Sequence, residues 1–334
     1  MLWKTLYSSS NKLDTQKLKP IEKPEYQIND FQSKSFNDTG DIKTTVKAEN
    51  LSYFTQSKLS KLIQPRIKLH SNNQSSEPTW QLKADKASSI QPNNHVSLDS
   101  NIEMVRMASP ESKHELKIYS QEMDLLLKEE VASSKGAVTI LSEQSQIRGL
   151  GFKSDLHKNY VVLKSNVKSE YVTNAQTDDP ANRLYIESDT FLLEGNGGKL
   201  THEGKVILIQ EGITIRADRV EVFKVNEQQT AFAYGNPATF DQVPSTDNAA
   251  IYAEAKRFEF NSQEEKLKIY QDARLMQGEA ILEGGFLYYD TQTENIGAES
   301  QPLSTLQANT DSQANKEPET KQRVKMILPR KNKP

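Results

Sequence analysis

An eight-residue pattern returns along this chain and restricts its fold more than any other feature. It reads apolar, any, small, two mostly polar residues, then apolar, any, apolar. It stands as VKAENLSY (46–53), LKADKASS (82–89) and IYSQEMDL (118–125). It continues as IESDTFLL (186–193), IRADRVEV (215–222), AEAKRFEF (253–260) and LEGGFLYY (282–289), while FKSDLHKN, from residue 152, keeps the first half alone. Start to start the units are 29 to 38 residues apart. A period of that size denotes supersecondary units stacked along an axis. Within units the alternation is that of strands with one dry face. In LTHEGKVILIQEGITIRADRVEV (200–222), Leu200, His202, Val206 and Leu208 share one parity ahead of a turn at Glu211–Gly212. Val220 and Val222 then resume the alternation one step out of phase. A shift of 67 lays Leu200, Val206, Leu208, Ile215 and Val220 on Leu267, Ala273, Leu275, Leu282 and Leu287.

The small residue in mid-unit has a steric reason. A strand that bends sharply slips its alternation by one and pushes its concave-side side chain into crowded space. Ala48, Ala84, Ser120, Ser188, Ala217, Ala255 and Gly284 relieve that crowding. Each unit is therefore expected to fold at a corner and return on an opposite wall, so that stacked units form a V-shaped trough. A flat β-sandwich shares the alternation; the steady period favours stacking. SQEMDLLLKEEVASS (120–134) has a helical composition, but the repeat places it on strands. The chain reads as all-β.

Composition narrows the function. Of 334 residues only 35% are hydrophobic, enough to line an interior and lean for filling two thick layers. The absence of cysteine removes disulfides, thiolate catalysis and cysteine-bound zinc. A net charge of −3 provides no field to gather nucleic acid. The longest aliphatic run, Val206–Ile209, falls far short of the ~20 residues a membrane-spanning helix needs. Residues 1–20 show no apolar signal core.

Catalytic constellations are missing from the pattern. His70, His95, His114, His157 and His202 form neither HxH nor HExxH, and His202 falls on the dry parity of its strand as a polar filler. EGNGGKL (194–200) lacks the first glycine of a phosphate loop and runs into a strand. Arg216, Arg219, Lys83 and Lys86 flank corner residues and point outward, either as a solvated surface or toward lipid phosphates at a trough rim. Neither cofactor nor metal is expected. A carbohydrate-active β-solenoid is disfavoured, since the dry face carries no paired carboxylates.

Stretches in both halves carry a resemblance. PTWQLKADKA (78–87), with QPRIKL before it, and GLGFKSDLHKNYVVLKSNVKSEY (149–171) are similar to the LptC family. LYIESDTFLLEGNGGKLTHEGKVILIQEGITIRADRVEVF from Leu184 and YGNPATFDQ (234–242) resemble the LptA family, with QRVKMILP (322–329) similar to its last strand. Ser142 stands where the LptC family has a glycine. The resemblance implies two consecutive V-shaped β-jellyroll domains stacked into one continuous trough. The division expected is an N-terminal segment 1–23, an LptC-like domain 24–172, a linker 173–182 and an LptA-like domain 183–300. A polar insert 301–321 and a last strand with a basic tail, 322–334, follow.

The function so implied is that of a periplasmic, inner-membrane-associated bridge. It would pass the lipid A chains of lipopolysaccharide from an ATP-driven exporter with LptF/LptG-type subunits toward an outer-membrane LptD-type domain. Head-to-tail self-association is also implied. The family carries an export signal or membrane anchor ahead of such domains, and none is visible in residues 1–20. The matching dry-face positions in the first half are Val46, Leu51, Tyr53, Trp80, Leu82, Val96, Leu98, Ile102, Met104, Ile118 and Met123. In the second they are Ile186, Phe191, Leu193, Leu200, Val206, Leu208, Ile215, Val220, Val222, Phe258, Phe260, Leu275 and Leu287. Val161, Leu163 and Tyr171 would form the edge at which the halves join. On this reading ligand, not protein, covers the dry face. The alternative is a structural β-repeat protein whose interior is filled by its own side chains.

Overall fold

The computed structural model describes residues 22–70, 80–91, 94–108, 115–172, 183–195, 198–225, 228–244, 249–261, 266–290, 293, 295–298 and 324–327. The expected linker 173–182 and insert 301–321 lie outside the described residues, as do most of 1–23 and 322–334. Every described element is a strand. The first half contains β1 (Tyr26–Phe36), β2 (Ile42–Phe54), β3 (Leu59–Ile63), β4 (Arg66–Leu69), β5 (Trp80–Lys83) and β6 (Lys86–Ile90). It continues with β7 (His95–Arg106), β8 (Leu116–Leu126), β9 (Val131–Ser142), β10 (Ser145–Asp155) and β11 (Tyr160–Val172). The second half opens with β12 (Arg183–Ser188), β13 (Thr190–Glu194), β14 (Lys199–Gln210), β15 (Ile213–Val225) and β16 (Gln228–Gln242). It closes with β17 (Ile251–Asn261), β18 (Lys266–Gln277), β19 (Ala280–Asp290), β20 (Ile296–Ala298) and β21 (Lys325–Ile327). All belong to one antiparallel sheet. The stretch 120–134 is indeed the β8–β9 hairpin.

The sheet is bent along its whole length. β2 gives Thr44–Lys47 to β4 and Asn50–Phe54 to β3. β11 likewise gives Val161–Leu163 to β13 and Val167–Val172 to β12. The pairs β3/β4, β5/β6 and β12/β13 are thus single bent strands interrupted where they turn. In the continuous strands the turn is a register slip, as between Asp99 and Ile102, Glu203 and Val206, or Tyr270 and Ala273. One wall holds the strand halves that include Val46, Leu82, Met104 and Ile118. The other holds those that include Leu51, Val96, Leu98 and Met123.

Two kinds of corner alternate along this crease. One kind carries the small residue, facing inward: Ala48, Ala84, Ser120, Ser188 and Ala255 are all buried there. The other carries residues with left-handed backbone: Asp30, Gln64, Ser100–Asn101, Asn166, Gly204–Lys205 and Gln271–Asp272 all have φ between 47° and 82°. A residue in that conformation inserts an unpaired step, which bends the strand and slips its register. Asn and Asp tolerate it because their short polar side chains bond locally. At Gly204 (φ 82°) a Cβ would also lie 2.5 Å from Asp189 Oδ2, so the corner needs glycine. Neighbouring corners are stitched outside the crease: Asn101 Nδ2 donates to Asp85 Oδ2 at 2.7 Å, and Gln64 Nε2 donates to Asp85 Oδ1 at 3.3 Å.

FKSDLHKN is not a corner unit. β10 slips register around Gly149–Gly151, and Ser154 lies beside the following hairpin turn. The half-match at 152 therefore misplaces the bend by a few residues.

Inside the crease lie two apolar clusters. The first runs from Ala48 to Leu193 and the second from Ile186 to Tyr289. They overlap in sequence: Phe191 and Leu193 on β13 pack into the first, while Ile186 on β12 packs into the second. The two halves therefore interlock at the bent strand β12/β13.

Candidate functional site

The dry parity read from the sequence is the inner face of the furrow. Leu51, Trp80, Leu82, Val96, Leu98, Ile102, Met104, Ile118 and Met123 are buried there in the first half. In the second half Ile186, Phe191, Leu193, Val206, Leu208, Val220, Phe258, Leu275 and Leu287 are buried. Val46, Tyr53, Leu200, Ile215, Val222 and Phe260 are partly buried against the same clusters. The V is narrow enough for opposite walls to meet, so side chains of one wall cover those of the other. In the second half Phe240 on the first wall lies 6.5 Å from Phe258 and 6.1 Å from Tyr289 on the second, ring to ring. Such apolar contact is non-directional and transfers readily to another apolar surface of similar area.

Polar contacts close the mouth of the first half. Lys43, at the rim of the first wall, places Nζ 3.0 Å from Glu130 Oε1 in the β8–β9 turn at the rim of the second. Trp80, also at the first rim, donates its indole N–H to the carbonyl of Leu156 in the β10–β11 turn at 3.1 Å. The amide of Leu156 in turn donates to the carbonyl of Glu130 at 2.9 Å, stacking the two turns. Leu127 and Leu156 cap the apolar cluster beneath. None of this was legible beforehand. The contacts across the mouth join residues 76 and 87 positions apart, and Trp80 showed only an apolar parity.

The residues expected at the joint lie on β11. Val161 and Leu163, both fully buried, pair with Leu193 and Phe191, and Tyr171 pairs with Leu184. Outside, Lys168 bridges Glu187 at 2.9 Å and Arg183 pairs with Glu170. Inside, Tyr171 reaches across the furrow to His202, which is fully buried on the opposite wall. Tyr171 Oη lies 2.9 Å from His202 Nε2, and Ser188 Oγ lies 3.0 Å from His202 Nδ1. Ser188 donates its own hydrogen to the carbonyl of Thr190 at 2.9 Å. Its oxygen is left to accept from Nδ1–H, so Nε2 carries the lone pair and Tyr171 donates to it. Burial fits this neutral tautomer, since it pushes the His202 pKa down to about 3 and the Tyr171 hydroxyl well above its usual value.

Three of the four outward cations are engaged on the surface. Lys83 bridges Glu103 at 2.6 Å and Arg216 bridges Asp241 at 2.8 Å, while the Arg219 guanidinium lies 4.8 Å over the Tyr234 ring. These engagements favour the solvated-surface reading over phosphate binding. Among the other described histidines, His95 meets Asp124 on the exposed face at 2.8 Å and Thr45 Oγ1 lies 3.4 Å from His70. Among the described residues no cluster of histidine and carboxylates could hold a metal. Nor is any described helix long and apolar enough to cross a membrane.

Residues 1–172 match the family described as lipopolysaccharide-assembly, LptC-related. Residues 185–295 match that described as LptA/(LptD N-terminal domain) LPS transport protein. The lipopolysaccharide export system protein LptA of Escherichia coli K12 is 28% identical over 151 residues, covering 44% of this chain and 81% of that protein. The Shigella flexneri protein of the same name gives the same figures. Among solved structures, LptH of Pseudomonas aeruginosa, titled the LptA-homologous periplasmic component of the lipopolysaccharide transport device, aligns with a TM-score of 0.36 and 18% identity. That alignment covers 43% of this chain and 94% of LptH. The chain belongs to the LptC-related lipopolysaccharide-assembly family, a transport and not an enzyme family, and carries a domain of the LptA/LptD N-terminal type behind its LptC-related one.

Proposed function

We propose that the furrow is a conduit for lipopolysaccharide, in which the lipid A acyl chains part the two walls and lie between them while the sugars remain in water. The observation that carries this reading is the apolar lining of both walls in each half, on a sheet that passes from β11 to β12 and β13 without a gap. Acyl chains would replace side-chain contacts one for one. Each Å² of apolar area is worth about 25 cal/mol on either partner, so opening costs little that the lipid does not restore. Lateral movement then meets no steep barrier, and the push comes from an ATP-driven inner-membrane exporter. The two halves correspond to an LptC-like domain (24–172) that receives lipid and an LptA-like domain (183–300) that hands it on, in the periplasm. The exporter's LptF/LptG-type subunits adjoin the first and an LptD-type domain the second, each by strand addition at a sheet end. Fusion in this order replaces a bimolecular docking step by one at high effective concentration.

A second reading has a specific observation behind it: the walls cover one another with their own side chains, as in a self-filled structural repeat. Purified full-length protein, mixed with lipopolysaccharide and examined by native mass spectrometry, separates the two. Retained lipid, together with photo-crosslinking to it from Ile102 in the first half and Leu208 in the second, supports the conduit. A bare protein that takes up no lipid overturns it.

A further inference from the structure

The inner face of the furrow is lined by apolar side chains from both walls, yet between the two apolar clusters a polar chain crosses it. Tyr171 on the first wall packs against both clusters and extends its hydroxyl to His202 on the second. From there the chain continues through Ser188 to the carbonyl of Thr190 at the crease. Each donor along this path meets one acceptor, so the strut is complete only when the walls stand at the distance seen here. An acyl chain lying across the junction must separate Tyr171 from His202, and a hydrocarbon returns no hydrogen bond to either. Where the walls meet through apolar side chains, as at Phe240 and Tyr289, lipid exchanges apolar contact for apolar contact at no such loss.

We propose that the Tyr171–His202–Ser188 strut is a partition that divides the conduit into two lipid-holding compartments, so that lipid rests in either half and crosses the junction only transiently. The inference rests on the conduit reading above and adds to it a positioning role for three residues. Because one strand, β12/β13, is shared between the clusters, the strut also sits where the halves interlock, and it sets the spacing of the walls at that point.

Crosslinking of full-length protein with purified lipopolysaccharide tests the partition. A photo-crosslinking residue is placed at Ile102, at Leu275, or at Leu200, which lies two residues from His202 on the same inner face. In the otherwise unaltered chain Ile102 and Leu275 label lipid and Leu200 labels it at least fivefold less. Tyr171→Phe raises the Leu200 signal by about fivefold, the factor one net hydrogen bond governs, and leaves the other two positions unchanged. Ser188→Ala, which weakens the strut from its far end, acts in the same direction. His202→Gln, which retains a donor and an acceptor, keeps the Leu200 signal low. Equal labelling at all three positions in the unaltered chain overturns the partition while leaving the conduit standing, as does an unchanged Leu200 signal in Tyr171→Phe. No labelling at any position overturns the conduit itself and the partition with it.

Discussion

Lowering the pH from 7 to 5 should loosen the junction through one residue. His202 titrates near 6.5 in an unfolded chain and is held down to about 3 in the fold, where burial penalises its charged form. Between those values the unfolded state binds a proton that the folded state does not, so stability falls as pH falls. The contribution is fully present above the unfolded value and is lost below it at about 1.4 kcal/mol per pH unit, until the folded value is reached. Integrated from pH 7 to pH 5 the loss is about 2 kcal/mol. Urea denaturation at both pH values, followed by tryptophan emission, to which Trp80 in the adjoining first half contributes, measures it. The control is His202→Gln, which fills the same space without titrating. All other groups are common to the two proteins and cancel in the difference. The unaltered protein should lose about 2 kcal/mol more than the variant. An equal loss in the two proteins would falsify the claim that His202 is neutral and buried at the junction.

Further outcomes follow from the corners, the seam and the mouth. Gly204→Ala should lower stability by about 1–3 kcal/mol in thermal unfolding, because the new methyl meets Asp189 and the backbone is left-handed. Once a protease site introduced within 173–182 is cleaved, neither half should be released. Six register pairs to β12 and three to β13 hold β11 in place, so the fragments should co-elute in size-exclusion chromatography. Replacing Lys43 by Met removes one of the polar contacts across the first mouth; unfolding should shift by less than about 1 kcal/mol, while lipopolysaccharide uptake, read by native mass spectrometry, should become faster. Leu163→Ala, fully buried beside the seam, should cost about 2–5 kcal/mol.

The bent-strand architecture was legible because steric crowding at a corner leaves a mark in composition: Ala48, Ala84, Ser120 and Ala255 are small for one shared reason. The alternate corners left a fainter mark. Asp30, Asn101, Asn166 and Asp272 occur two to three periods apart, but Asp and Asn are equally common on any wet surface, so their backbone role was not separable. Parity located the inner face residue by residue, because alternation reports which side of a strand is dry. It carries no information about the distance between walls, so the meeting of Phe240 with Tyr289 was not foreseen. His202 was read as a polar filler. Its partner Tyr171 was assigned to the joining edge, and nothing in either local pattern indicates that the two face one another across the interior.

A final consequence concerns reach. In a globular domain linear size grows only as a weak power of residue number. Here each added bent strand advances the molecule along its crease by about 4.8 Å, whatever the total already present. Span is therefore proportional to chain length and comes in discrete increments. A lineage needing to cross a wider gap can duplicate one repeat without redesigning any other, and one with a narrower gap can delete one at the same small expense.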